Sequence, residues 1–394
     1  MIRIRSYKLK LKPNKQQLQK LNNYFYEAKC LYNYVLSTED VFKFDTKIKN
    51  ITKLDKDRNK VEVILNNLPA KLRQNIVHRL QDNIKNLSKS KKKGNKVGKL
   101  KYKSEINYID LDNQCFKIII NKLQILGFLK SKIKLKGLNQ LKDIIKTRNA
   151  WLFKEANNYY ISICCDVEVE HHIKTNKQVG IDMGIKDNVT LSNGEKFNCS
   201  IGESEQIKRL QKKLARSQKG SKNRYKIKLK LQKAYRKITN QKKDFANKLV
   251  HKLDVNYDLI VWQNELISKW HKGWFGKQVQ YSCLGMFKQK LEQRMKEETN
   301  RFIELDSKYP TTKLCPSCGC LNNISLADRI YKCDCGYIMD RDIHSANNML
   351  ELAYKLNLVP QELREFKLVE KKINFSKKFL EINQSSMKQE DVFI

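Results

Sequence analysis

Apolar and polar residues alternate along the first twelve residues, which predicts a β-strand. Ile2 and Ile4 alternate with arginines, and Leu9 and Leu11 alternate with lysines. We therefore expect a strand with one basic face. The pair Pro13–Asn14 follows and indicates the start of a helix.

Apolar residues recur at steps of three and four from residue 18 to about residue 87, which predicts helices. The first stripe consists of Leu18, Leu21, Phe25, Ala28, Tyr32 and Val35. The second group consists of Leu65, Leu68, Leu72, Ile76 and Leu80. A basic loop at 89–103 follows, in which Leu100 and Tyr102 interleave with lysines. Such a loop is either a solvated face or a segment that follows a phosphate backbone.

Residues 105–170 contain short runs of β-branched and aromatic residues, which predict strands. Glu155–Asn158 is typical of a hairpin turn between the last two runs. Together with residues 1–12, these strands would form a small barrel or curled sheet. The helices of 13–104 would then be an insertion in that sheet.

From residue 177 onwards, apolar strands alternate with helices. The predicted elements are a strand over Val179–Val189, a hairpin with its turn at Asn193–Gly194, long basic helices over 203–253 with a break near Gly220, a buried strand over 257–265, a helix over 277–304, a cysteine knuckle over about 309–338, a helix over Ile343–Leu356 and a loosely ordered tail after Val359.

The charge of the chain indicates a polyanionic partner. Its 394 residues include 80 Lys+Arg against 41 Asp+Glu, which gives a net charge of +39. The excess runs along most of the chain, and this favours nucleic acid over a membrane surface. The chain contains neither a long apolar run nor a secretory h-region near its start. We therefore expect a cytoplasmic protein that does not associate with membranes.

Four cysteines have the spacing of metal ligands. They form the pairs Cys315-Pro-Ser-Cys318 and Cys333-Asp-Cys335-Gly, and four thiolates at this spacing predict one structural zinc ion. Cys320 is a spare thiol that could substitute for one of the four, and an iron–sulfur cluster is an alternative. Most of the other cysteines lie in apolar surroundings, which indicates reduced thiols in a reducing compartment.

Three carboxylates could form a second metal site. Asp182 lies in an apolar strand, Glu265 follows the second apolar strand, and Asp342 lies at a helix start, with Asp340 as its competitor. Each has an ordinary alternative role, as a turn residue or a helix cap. If they converge, they could hold two magnesium ions, and two such ions hydrolyse phosphodiesters. The three carboxylates on so basic a chain predict a DNA nuclease.

The motifs together resemble one family. Val179-Gly-Ile-Asp182-Met-Gly, the basic helices around Gly220-Ser-Lys-Asn-Arg, Cys315-Pro-Ser-Cys318-Gly and Asp340-Arg-Asp342-Ile-His-Ser-Ala-Asn-Asn are similar to TnpB (OrfB) proteins of bacterial insertion sequences. The likeness covers nearly the whole chain. Older naming calls such proteins transposases, and they are related to compact type V CRISPR effectors.

The resemblance implies an α+β multidomain endonuclease that is guided by an RNA from the transposon end and cuts double-stranded DNA. Asp182, Glu265 and Asp342 would be its catalytic carboxylates, and the protein would act as a monomer on its RNA at the bacterial nucleoid. The implied domains are a wedge β-barrel (1–12 and 105–176), an inserted helical recognition domain (13–104), an RNase H-like, RuvC-type nuclease domain (177–308 and 339–358), an inserted zinc ribbon (309–338) and a flexible tail (359–394).

One departure from the family leaves alternatives open. Many relatives carry the middle glutamate directly after the strand, whereas here Gln263 and Asn264 precede Glu265. If either of those holds the site instead, the protein would be a guided DNA-binding repressor that does not cut. A third hypothesis is a DNA-binding accessory protein of transposition that acts without RNA.

Overall fold

The computed structural model describes residues 2–364 except 56, 58, 126, 128–130, 170, 171, 299 and 326. The fold is α+β, and the chain divides into two compact units, residues 1–171 and 172–394. Among the described residues, no helix combines the length and apolar composition that crossing a membrane requires. The part of the expected tail beyond residue 364 lies outside the described residues.

The first unit is built around one antiparallel sheet. The strands of this unit are β1 (Ile2–Lys12), β2 (Asn50–Leu54), β3 (Lys60–Ile64), β4 (Tyr108–Leu111), β5 (Phe116–Ile119), β6 (Lys122–Ile125), β7 (Ile133–Lys136), β8 (Ile144–Glu155) and β9 (Asn158–Glu168), of which β2 and β3 form a separate hairpin. The order β4-β8-β9-β1-β7-β6-β5 makes a nearly closed, barrel-like sheet. The N-terminal strand lies at its centre, between β9 and β7, as the sequence predicts.

Two helices cover this sheet, α1 (Lys15–Leu36) and α2 (Ala70–Lys92). Asn14 caps α1 in a capping box with Gln17. The helix packs on β9, where the ring of Phe25 lies 5.5 Å from that of Tyr159. The Tyr159 hydroxyl also donates to Oδ1 of Asn22 at 2.6 Å.

Two predictions for this unit are wrong in part. The segment between the helices forms the hairpin β2–β3 instead of helix; its alternating Ile51, Val61 and Val63 favour a strand. In β1, Leu9 and Leu11 are buried, but Ile2 and Ile4 are exposed and Arg3 is buried. The two apolar pairs occupy odd and even positions, and a strand of period two can bury only one set.

The second unit contains a five-stranded sheet flanked by helices. The strands of this unit are β10 (Gln178–Met183), β11 (Val189–Leu191), β12 (Lys196–Phe197), β13 (Leu259–Gln263), β14 (Phe302–Leu305), β15 (Ile330–Lys332) and β16 (Ile338–Asp340), of which β15 and β16 form a separate two-stranded sheet. Its helices are α3 (Glu205–Arg216), α4 (Lys222–Asn256), α5 (Ile267–Trp270), α6 (Gly276–Tyr281), α7 (Leu284–Glu297), α8 (Arg341–Lys355) and α9 (Gln361–Arg364).

The sheet order is β12-β11-β10-β13-β14, with β10, β13 and β14 parallel and β11 antiparallel to β10. Strand β13 is buried on both faces, as a central parallel strand requires. Ile260 and Trp262 join the core on the side of α4 and α7, whereas Leu259 and Val261 join the core beneath α8.

The predicted helix over 277–304 is wrong at its end. Its last residues form β14, which pairs in parallel with β13. Phe302 and Leu305 are buried there. The last residues of the predicted helix therefore belong to a short buried strand. The hairpin turn at Asn193–Gly194 and the helix break at Gly220 are confirmed, since both glycines adopt positive φ angles.

Candidate active site and cysteine cluster

Strand β10 carries Asp182 into the middle of the sheet of the second unit. It lies opposite Thr190 of β11, one residue from the end of β10, and is partly buried. Helix α8 packs directly on the same strand: a Cβ added to Gly180 would lie 1.8 Å from the carbonyl oxygen of Ala346. This close approach brings Ser345 to Asp182, and its hydroxyl donates to Oδ1 at 3.1 Å.

The charges that act on Asp182 include those of the other two predicted carboxylates, Asp342 and Glu265. Burial, followed by the negative charges of Asp342 and Glu265, raises the pKa of Asp182 to about 7, against the lowering effects of Ser345 and Arg341. Like charges favour the protonated form in this way only when they lie near one another. A cation among the three would reverse that preference.

Asp342 occupies the first turn of α8 and is buried. Its Oδ1 accepts from the guanidinium of Arg341 at 3.1 and 3.0 Å. Its competitor Asp340 has another role, because it caps the helix by accepting from the backbone N–H groups of Asp342 and Ile343. Lys196 pairs with Asp340 at 2.8 Å. Asp340 is therefore the cap, and the carboxylate of Asp342 is left for the site.

Glu265 follows β13 after two polar residues and is partly buried, which raises its pKa, whereas Lys288 lowers it. The side chain of Gln263 is fully occupied elsewhere: Nε2 donates to the carbonyl oxygens of Asp306 and Tyr309 at 2.9 and 2.7 Å. Lys288 donates to the side chain of Asn264 and to the carbonyl oxygen of Glu265. Glu265 is thus the acidic group of this stretch that acts on Asp182.

A buried chain of side chains, which sequence reasoning missed, connects these elements. The Thr311 hydroxyl donates to Oε1 of Gln263 at 3.0 Å and lies 3.2 Å from the Ser345 hydroxyl. Ser345 in turn donates to Asp182. Each hydroxyl has one proton, so with Thr311 donating to Gln263 and Ser345 donating to Asp182, neither hydroxyl has a proton left for the contact between them. The available signal was a polar set, Asp342, Ser345 and Asn348, on the buried face of α8.

The four predicted cysteines come together. The sulfur atoms of Cys315, Cys318, Cys333 and Cys335 lie within 4.8 Å of one another. The pairs Cys315–Cys335 and Cys318–Cys333 are 3.6 and 3.5 Å apart. Sulfurs about 2.3 Å from a tetrahedral zinc ion would be about 3.8 Å apart. The group therefore has the chemistry and spacing to hold a metal such as zinc.

The spare thiol, Cys320, lies outside this group. Its backbone carbonyl instead accepts from the N–H of Cys315 at 2.8 Å, which closes the first turn. Among the described residues, these four cysteines are the one group of three or more His, Cys, Asp or Glu residues whose ligand atoms lie within 4.8 Å of one another. The three carboxylates are not drawn together to that degree.

Helix α8 anchors the cysteine segment through its buried polar face. The ring of His344 stacks on that of Tyr331 at 3.8 Å. The side-chain amide of Asn348 donates to the carbonyl oxygens of Thr311 and Leu314 at 2.7 and 2.8 Å. Burial lowers the pKa of His344 to about 4, so the ring is neutral at pH 7. One helix therefore contacts both Asp182 and the segment that leads into the cysteines.

A basic groove lies on α4. It has a volume of about 430 Å³ and is lined by Lys233, Arg236, Lys237, Asn240, Gln241 and Asp244. The helix carries lysines or arginines over most of its exposed length. A surface of this kind suits a phosphate backbone.

Comparison with known proteins matches two stretches of the chain to family models. Residues 162–264 match the OrfB_IS605 model, "Probable transposase", and residues 285–349 match the "Cas12f1-like, TNB domain" model. The resemblance to TnpB (OrfB) proteins that the motifs indicate is confirmed by these matches.

Individual relatives carry related names. A "Putative RNA-guided DNA endonuclease" of Streptomyces pristinaespiralis is 30% identical over 200 residues, which is 50% of this chain and 50% of that protein. The "TnpB-like protein L770" of Acanthamoeba polyphaga mimivirus is 24% identical over 397 residues, covering 89% of this chain and 74% of that protein. A Cas12f1–sgRNA–target DNA complex solved by cryo-EM has a TM-score of 0.41 at 14% identity and covers 71% of each chain.

Proposed function

We propose that this chain, which resembles the TnpB (OrfB) proteins, is an RNA-guided DNA endonuclease. The names of its relatives support this reading. The observation that carries it is that two acidic residues, Glu265 after β13 and Asp342 in the first turn of α8, lie near enough to Asp182 in β10 for their charges to raise its pKa. Carboxylates crowded in this way are typical of a site that is completed by cations.

Asp182, Glu265 and Asp342 would hold two magnesium ions, since carboxylate oxygen is the donor that magnesium prefers. Magnesium, when bound, stabilises the attacking and leaving oxygens of the phosphodiester. Ser345 would orient Asp182 by donating to Oδ1. Arg341 would hold Asp342 at its own Oδ1. Lys288 would fix the backbone of Glu265 through its carbonyl oxygen.

Cys315, Cys318, Cys333 and Cys335 would hold one structural zinc ion in a ribbon over residues 309–338. Support comes from the four-sulfur donor set, the spacing of the sulfurs and the matched TNB-domain model. The sheet order with α8 packed on β10 supports a RuvC-type nuclease domain over 177–308 and 339–358. Residues 1–12 and 105–176 would form the wedge, and residues 13–104 the helical recognition domain.

The proposed partners are a guide RNA from the transposon end and double-stranded target DNA, bound by a monomer on its RNA at the bacterial nucleoid. The net charge of +39 supports polyanionic partners. Base pairing would read the target sequence, while the protein reads a short flanking motif.

The test is cleavage of a plasmid library that is randomised beside a fixed target. The protein is co-expressed with its transposon-end RNA and supplied with magnesium. We expect cutting beside one enriched flank, and its loss in Asp182→Ala with retained binding. Cutting that persists in Asp182→Ala would overturn the assignment.

A guided repressor that binds without cutting is the second candidate. It is favoured by one observation: the oxygens of the three carboxylates do not approach one another as closely as the four sulfurs, which lie within 4.8 Å of one another. Guided binding by the wild-type protein without cutting at any magnesium concentration would support it. Loss of cutting in Glu265→Gln, with unchanged binding, would exclude it and fix Glu265 as the middle carboxylate.

A further inference from the structure

The segment after Glu265 carries a tryptophan that nothing in the proposed active site uses. Trp274 is 100% exposed, and Phe275 beside it is 52% exposed. Tryptophan is among the side chains that gain most from leaving water. Two adjacent exposed aromatic side chains, one of them a tryptophan, are therefore a candidate binding surface.

The loop that presents Trp274 is anchored and hydrogen-bonded. It starts on the active site, since the N–H of Ile267 donates to the carbonyl oxygen of Glu265 at 3.0 Å. Ile267 and Trp270 pack against the core of the second unit. The chain then folds back on itself, because a Cβ on Gly276 would lie 2.4 Å from the carbonyl oxygen of His271. Trp270 therefore anchors the loop to the core, whereas Trp274 faces solvent.

The charge around Trp274 selects the kind of partner. Lys269, His271, Lys272 and Lys277 are all exposed. No Asp or Glu occurs in the sequence between Glu265 and Glu292. An aromatic ring among exposed cations is complementary to a ligand with a flat face and a phosphate backbone.

We propose that residues 266–277, the stacking loop, bind single-stranded nucleic acid, with Trp274 stacked on one base and Lys272 near the phosphates. The inference rests on the proposed function, in which a DNA strand is led to the carboxylates. A single strand fits better than a duplex, because the faces of paired bases are already covered by their neighbours. Stacking on an aromatic ring is tolerant of sequence, as a guided nuclease requires.

The first experiment measures binding of a fluorescent single-stranded deoxythymidine oligonucleotide by anisotropy, in the full chain carrying Asp182→Ala so that no strand is cut. We expect Trp274→Ala to weaken binding roughly 5- to 150-fold, the range for loss of one stacked base. Trp274→Phe restores most of the affinity, because the ring face remains. Trp274→Leu does not, because it is apolar without a ring.

An abasic oligonucleotide of the same length is the matched control ligand. It keeps the phosphates and lacks the bases, so Trp274→Ala should bind it as tightly as the parent. Lys272→Gln should weaken binding to both oligonucleotides and reduce the slope of log K against log salt by about 1.

Three results would overturn the stacking loop: unchanged affinity in Trp274→Ala, full affinity in Trp274→Leu, or an equal loss on the abasic strand. The last would indicate that Trp274 supports the fold or contacts a protein. These outcomes can be distinguished from a failure of the proposed function, because that function is tested separately, by the loss of cutting in Asp182→Ala. If the protein fails to cut but the Trp274 variants bind as expected, the stacking loop stands and only the assignment as a nuclease is lost.

Discussion

At the residue scale, the side chains that surround Asp182 explain how a partly buried carboxylate is held in place. Ser345 donates to Asp182, and Thr311 lies between Ser345 and Gln263. Burying such groups is costly unless each finds a partner, so the chain is sensitive to the loss of a single hydroxyl.

Thr311→Val tests that chain. It keeps the shape and leaves Oε1 of Gln263 without its donor, so we expect the free energy of unfolding to fall by about 1–3 kcal/mol. We also expect a higher magnesium requirement for cleavage, because Ser345 loses a neighbour that positions it. Thr239→Val is the control, since that exposed hydroxyl bonds only to its own helix. An unchanged magnesium requirement in Thr311→Val would contradict the positioning role.

A second residue, Asp258, predicts how stability depends on pH. It is 2% exposed and accepts from His172, from the backbone and side chain of Thr175, and from the backbone of Asn176. Burial acts to raise its pKa, but these hydrogen bonds outweigh burial and lower it below the ordinary value. Its stabilising effect is therefore complete above an unfolded pKa of about 3.9 and is lost as the pH falls through the lower folded value.

Asp258→Asn should lower the free energy of unfolding at pH 7 by about 1–3 kcal/mol. The difference from wild type should shrink below about pH 4, where the Asp258 carboxylate of the unfolded chain becomes protonated, and should vanish below the lower pKa of the folded protein. Urea titrations at several pH values measure this. Asp244→Asn is the control, an exposed helix pair with Lys248 that contributes less than about 0.5 kcal/mol. A difference that is constant with pH would contradict the argument.

At the scale of elements, the contact between α8 and β10 builds the candidate site. Gly180→Ala would force a methyl group onto the carbonyl oxygen of Ala346, 1.8 Å away. We expect α8 to move off the strand, with a loss of more than about 3 kcal/mol in stability and a loss of cutting. Gly285→Ala is the matched control: a Cβ there meets nothing within 4 Å, and alanine in α7 should stabilise by about 0.5–1 kcal/mol.

The cysteine segment gives a prediction about metal content. Cys318→Ser removes one of the four clustered sulfurs and should abolish bound zinc, with a lower melting temperature. Cys320→Ser should keep one zinc per chain, because Cys320 lies outside the group. Metal analysis of the purified variants decides this. Loss of zinc in Cys320→Ser would mean that Cys320 is a ligand.

At the scale of the whole molecule, the charge of +39 is spread over both units and favours a polyanionic partner. We expect protein purified from cells that express the transposon-end RNA to carry that RNA, and nuclease treatment to abolish site-specific cutting. Protein that is free of RNA and still finds its target would support the RNA-independent accessory hypothesis. A scrambled RNA of equal length is the control.

Much of this protein is set by local sequence. A run of β-branched and aromatic residues predicted β9, a continuous apolar run predicted β13, and apolar residues at steps of three and four predicted α1. The spacing of four cysteines predicted the group that the structure assembles. These features depend on residues close together in the chain, so pattern and spacing are enough to find them.

Only the tertiary structure decided which polar residues meet. Ser345 reaches Asp182 across 163 residues, and Thr311 reaches Gln263 across 48. Asp340 rather than Asp342 caps α8, and Arg3 rather than Ile2 turns inward in β1. Each outcome depends on the order of strands in a sheet or on the phase of one strand against its neighbours. That information lies in long-range packing, because a local pattern leaves both arrangements open.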